Sequence, residues 1–147
     1  EEYNYPENFY DLVVSNLVLH YLEDLDSVYQ NVYRTLKSGG CFLFNIEHPT
    51  FTAGVNEDWI YDENGNPQYW AIDNYYYPGK RETKFLGKQV VKQHHTLTQI
   101  LNPLIKCGFQ MEAIEEAMPP ADMMDIPGMR DEMRRPMMLL VKVKKIS

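Results

Sequence analysis

A single α/β domain organised on parallel strands is what this sequence predicts, and three observations predict it. Apolar runs of strand length stand at 12–14 and 41–46, a stretch of helical periodicity separates them at 25–37, and the loops between are short. That order is a βαβ unit with a right-handed crossover. With 147 residues, 44% of them hydrophobic, the chain has the size of one domain able to bury a core (1–147).

The first run, within YDLVVSNLVLHYL, is continuous and β-prone, the pattern of a strand buried under helices on both faces. Ser15 and Asn16 end it, at the place where open α/β sheets meet their ligands. Residues 1–8 are acidic and turn-like, with no strand of their own, and the first residue is Glu. The helix predicted at 25–37 carries Leu25, Val28, Tyr29, Val32, Tyr33 and Leu36 on one face. Asp24 is its N-cap, Arg34 and Lys37 suit its last turn, and Gly39 supplies a left-handed stop. The second strand, 41–46, ends at Glu47 and His48, so two polar pairs are expected side by side, facing one aromatic-roofed pocket.

Residues 49–93 leave the alternation and are read as a lid. Trp59, Tyr61, Tyr69, Trp70 and Tyr75 to Tyr77 make disorder an unsuitable reading, and a connection this long is functional more often than not. Asn64-Gly65-Asn66-Pro67 predicts a hairpin turn, with further strands at 75–77 and 88–92. A helix follows at 96–107, capped by Thr96, closed by Gly108 and kinked or broken near 99–103 by Pro103. A strand at 109–117, a Met- and Pro-rich insertion at 118–136 and a strand at 137–143 complete the chain; with no helix between them, the last two strands can pair antiparallel.

Composition excludes several classes. The net charge is −7, from 14 Lys and Arg against 21 Asp and Glu, and no basic stripe follows phosphates, so no nucleic-acid partner is expected. No apolar run approaches the roughly 20 residues that span a bilayer, so no membrane partner is expected either. Cys41 and Cys107 read as small buried hydrophobes, which makes a cytoplasmic setting the expectation.

The motifs carry a resemblance. DLVVSNLVLHYLEDL, LKSGG followed at once by CFLFNI, and the Gly108-Phe109 pair are similar to the carboxyl-terminal half of a class I, Rossmann-like S-adenosylmethionine-dependent methyltransferase. EHPTFTAG, DNYYYPGKRE, FLG, HHTL and DEMRRPM resemble one bacterial branch acting on small molecules. The resemblance implies strands four to seven of that sheet, the last antiparallel, with an aromatic-rich β insertion. It also implies S-adenosylmethionine as cofactor, with Ser15, Asn16 and Leu17 at its methionine end and His20 on the turn below.

Methyl transfer is an in-line displacement that gains from orientation and exclusion of water, which suits a lid. Trp59 and Tyr76 are expected to flank the sulfonium or a flat acceptor, Glu47 to face the substrate and Arg81 to hold an acidic group on it. His48 is the first general base to consider, and His94 the second.

The family's glycine-rich cofactor turn and its ribose-binding acidic residue have no counterpart in this sequence, whose eight glycines contain no GxGxxG. Three βα units of about 30 residues each would supply about 90 more. The chain is therefore expected to be a piece of a longer enzyme, binding the cofactor poorly alone and associating as a homodimer or by strand exchange through an open sheet edge. Two other readings stand beside this one. A methyltransferase-like binding module completed by a partner needs no chemistry of its own. A hydrolase using His20, His48, His94, His95 and Glu47 on a metal lacks HxH or HExxH spacing, so no metal site is expected.

Overall fold

The computed structural model describes residues 4–147. Of the expected strandless opening stretch, residues 1–3 lie outside the described residues. From there the elements run β1 (Tyr10–Asn16), α1 (Leu25–Thr35), β2 (Leu36–Glu47), α2 (Pro49–Thr52), β3 (Gly54–Tyr61), β4 (Pro67–Ile72), β5 (Gly79–Phe85) and β6 (Lys88–His94). They continue as α3 (Leu97–Cys107), β7 (Phe109–Ala117), α4 (Met129–Glu132) and β8 (Met138–Lys145).

Four strands form the main sheet in the order β1-β2-β8-β7. β1 and β2 are parallel, as a crossover through α1 requires, while β8 runs antiparallel to both β2 and β7. β2 and β8 hold the centre because they are the most apolar: Phe42, Phe44, Ile46, Leu139, Val141 and Val143 alternate inward and are fully buried. Against them pack Tyr29 of α1, stacked on Phe44 with centroids 6.0 Å apart, and Ile100 and Leu104 of α3.

α1 and α3 lie together over this one face, and the other face of the strands is open. The expectation of a fully buried first strand is therefore corrected. Val13 packs on the core, but Leu12 and Val14 are 55% and 57% exposed, because β1 is an edge strand with helices on one side only.

The helix starts match the capping chemistry. The Asp24 side chain accepts from the Ser27 N–H, and Thr96 with Gln99 forms a complete capping box. Their ends differ from expectation in two ways. α1 stops at Thr35, since Leu36 turns extended to pair with Tyr10 and is fully buried; Gly39, at φ 80°, bends the start of β2 instead of ending a helix. α3 runs unbroken through Pro103, and the carbonyl that proline leaves without an N–H belongs to Gln99 on the exposed side. Gly108 closes α3 at φ 100°, as expected.

The 49–93 segment forms two hairpins, β3–β4 and β5–β6, each a separate two-stranded sheet. Asp62 organises the first turn by accepting from the Asn64 and Asn66 N–H groups, with Gly65 at φ 80°. Residues 75–77 are a turn, not the expected strand; the partner of β6 is β5. Cys41 and Cys107 are free and half-buried. Among the described residues no helix is long and apolar enough to cross a membrane.

Candidate functional site

Parallel pairing sets Asn16 opposite Asn45, so the polar ends of β1 and β2 reach the same rim of the sheet. Asn45 Nδ2 donates to Asn16 Oδ1 at 3.2 Å, and the Leu17 N–H donates to the Asn45 carbonyl at 2.9 Å, carrying the ladder one residue past β1. Leu17 then turns left-handed, at φ 57°. A side chain in that region costs about 1–3 kcal/mol and such residues gather at functional sites. Beside it, the buried Asn45 Oδ1 has no hydrogen-bond partner.

His20 returns the chain from this turn to β2. Its Nδ1 accepts from the Glu47 N–H at 3.2 Å, which places the proton on Nε2, 3.9 Å from Glu47 Oε1. Burial, helped by the Lys92 ammonium, lowers its pKa to about 4, so the ring is neutral. The Glu47 carboxyl is pushed up by burial, against the pull of Lys92 at 2.7 Å.

His48 caps α2. Its Nδ1 accepts from the Thr50 N–H at 3.1 Å, and its Nε2 donates to Glu116 Oε1 of β7 at 2.7 Å. Burial lowers the imidazole pKa while Glu116 opposes the shift. The unprotonated nitrogen thus faces the Thr50 amide and hydroxyl, and the ring is oriented by a carboxylate.

The structure separates the other predicted residues from this rim. His94 is fully buried, with Nδ1 2.7 Å from Thr52 Oγ1 and Nε2 2.8 Å from the Tyr75 carbonyl, so the expected second base is instead a tie between β6 and α2. Burial lowers its pKa too. Arg81 donates to the carbonyls of Asn74 and Tyr77, holding a turn rather than a substrate. Tyr76, expected to flank the sulfonium, is 83% exposed and touches only Tyr75 edge-on among the described rings, so it is not packed against this rim. Trp59 faces Trp70 across the hairpin, with the Arg134 and Arg135 guanidiniums 4.5 and 5.2 Å from its ring centre.

Nor do the two polar pairs share one cavity. A groove of about 700 Å³ runs from β1 to α1 and takes in Leu12, Val14, Ser15, Val28 and Val32, but not Glu47, His48 or the aromatic residues of the 49–93 segment. The aromatic cover lies over the β2 end alone, where Phe51 stacks on Trp70 at 5.1 Å and the Trp70 Nε1–H donates to the Thr50 carbonyl. The reason is local: α2 begins within two residues of β2 and delivers Phe51 to the hairpin, whereas β1 leads into a short 3₁₀ turn, Leu19–Tyr21.

Sequence reasoning missed Lys92, Glu57, Glu116 and Arg135, which all make charged or cation–aromatic contacts around this rim. Lys92 left a trace: alternation in β6 puts it on the same side as Val90 and His94, an inward position. The contact partners of the other three come from distant segments. Among the described residues, no three His, Cys, Asp or Glu side chains converge as metal ligands.

A sequence profile described as a methyltransferase domain matches residues 1–44. An uncharacterised protein of Haemophilus influenzae is 28% identical over 97% of this chain, which covers 56% of that protein. Two solved structures are closer. One from Listeria monocytogenes, assigned as an S-adenosylmethionine-dependent methyltransferase, is 42% identical with a TM-score of 0.92; one from Mesorhizobium loti with the same assignment is 38% identical with a TM-score of 0.84. They cover 98% and 97% of this chain, which spans 65% of each of theirs. This agreement in sequence and in backbone is consistent with a class I, Rossmann-like S-adenosylmethionine-dependent methyltransferase, over the 65% of each solved relative that the chain spans.

Proposed function

We propose that this chain supplies the acceptor side and the lid of an enzyme that moves a methyl group from S-adenosylmethionine to a small-molecule acceptor. In this reading β1, β2, β7 and β8 correspond to the family's strands four, five, six and seven. The observation that carries it is the shared rim: Asn16 and the left-handed Leu17 at the end of β1, beside Asn45, Glu47 and His48 at the end of β2.

The rim residues fit the methionine end of the cofactor. An ammonium would satisfy the unpartnered Asn45 Oδ1 beside Asn16, and the exposed β1 end leaves Ser15 on an open groove. The bound cofactor would supply an activated methyl on a cationic sulfur. What the chain's own residues do is orient and exclude. Glu116 holds the His48 ring in one tautomer, and Nδ1 becomes a proton acceptor once Thr50 yields its place. The β3–β4 hairpin, stacked through Trp70 on Phe51, keeps water from the β2 end.

The test is turnover in the protein as it occurs, with a panel of small amine and hydroxyl acceptors. His48→Ala is expected to lower kcat at least tenfold and to erase an acid limb of the pH profile. Unchanged turnover across pH removes His48 as the base.

One observation favours a second reading, a binding module completed by another chain: β1 has an unpaired edge beside an apolar groove. Titration with S-adenosylmethionine, with and without a candidate partner, distinguishes the two.

A further inference from the structure

Lys92 is a buried ammonium whose partners stand on two other elements. Its Nζ donates to Glu47 Oε1 of β2 at 2.7 Å and to Glu57 Oε2 of β3 at 3.0 Å, and lies 5.5 Å from the centre of the Phe51 ring. The side chains of Lys92, Glu47 and Glu57 are 3%, 8% and 5% exposed. Because the hairpins pair with no strand of the main sheet, side chains must hold them to the rim. This triad is where both hairpins and the sheet meet.

Two features show that the closure is costly. Glu47 Oε2 and Glu57 Oε1 are buried with no hydrogen-bond partner, so one ammonium serves two carboxylates and leaves half of their acceptors unanswered. Asn56 and Glu57 are both left-handed, at φ 56° and 48°, where β3 slips register against β4 between Gly54 and Trp59. That bulge turns Glu57 inward from between the exposed Asn56 and Asp58.

We propose that Lys92 is a latch that fastens the two hairpins to the strand end carrying Glu47, and that its release swings them off the rim while the main sheet stays intact. The strained bulge and the unanswered oxygens offset part of the ion-pair gain, which keeps the closed state reversible. Trp70 and His94 add contacts to α2, so the hinge lies where α2 joins β3 and β6 joins α3.

The inference rests on reading 49–93 as a lid, but its test reads opening and not turnover, so a failed latch leaves methyl transfer standing and the reverse. Amide hydrogen exchange is measured on the full chain and on two variants. In Lys92→Met, exchange across 54–94 is expected to rise about tenfold, with β1, β2, β7 and β8 changed by less than about twofold. In Glu57→Ala, which leaves the Lys92–Glu47 pair, the rise is expected in 54–72 and not in 79–94. Unchanged hairpin exchange in Glu57→Ala, or an equal rise across the main sheet in Lys92→Met, overturns the latch. If Lys92→Met does not fold, Glu57→Ala decides alone.

Discussion

His20 is neutral in the fold, and the consequence is a pH dependence with a definite sign. Burial lowers its pKa from 6.5 to about 4 while the unfolded chain keeps the ordinary value, so between these limits the unfolded state binds more protons and stability is lost as the pH is lowered from 6.5 to about 4. The full effect is on the order of 3 kcal/mol. His48 and His94, also lowered by burial, add to the same slope. Glu47 and Glu57 act oppositely: burial raises them, so their contribution is present below the usual carboxylate range and is lost as pH rises through their raised values. Lys92 stays charged, since its bonds to both carboxylates outweigh the burial that would lower it. His20→Asn, which keeps an acceptor for the Glu47 N–H, is expected to flatten the loss of stability between pH 6.5 and 4. Urea denaturation across that range checks it, and an unchanged slope would assign the titration elsewhere.

At the scale of elements, the aromatic cover depends on one small residue. A Cβ on Gly54 would fall into the indole ring of Trp70, so β3 can approach β4 here only as glycine. Gly54→Ala is expected to push Trp70 off Phe51, break its bond to the Thr50 carbonyl and destabilise the fold by about 1–3 kcal/mol. A red shift in tryptophan fluorescence with a lower denaturation midpoint would report it; an unshifted spectrum would mean that the hairpin absorbs the methyl. Arg135 completes the same packing, with its guanidinium 4.5 Å from the Trp70 ring centre and paired to Glu132, which ties the 118–136 segment to the first hairpin.

At the scale of the molecule, the two sheet edges differ. β7 carries Glu112, Glu115 and Glu116, charges that discourage pairing, whereas β1 offers exposed Leu12 and Val14 beside an apolar groove. The chain by itself is therefore expected to associate through β1. Light scattering at increasing concentration should give a dimer, and Val14→Lys should return the monomer mass. A monomer at every concentration would show that the β1 edge recruits no second copy.

What the sequence determined by itself is whatever local chemistry encodes. The caps at Asp24 and Thr96, the left-handed stop at Gly108, the hairpin turn at Asn64-Gly65-Asn66-Pro67 and the parallel neighbours β1 and β2 follow from short-range hydrogen bonding and apolar periodicity. His48 and Glu47 were legible as strand-end residues for the same reason. Tertiary structure decided what depends on partners far away in the chain. It turned His94 and Arg81 into internal ties, left Tyr76 in solvent, gave β1 one open face and brought Lys92 to two carboxylates 35 and 45 residues distant. Periodicity records which side of a strand is inward, but not which charge waits there, because a buried ion pair is specified only by the meeting of both its halves.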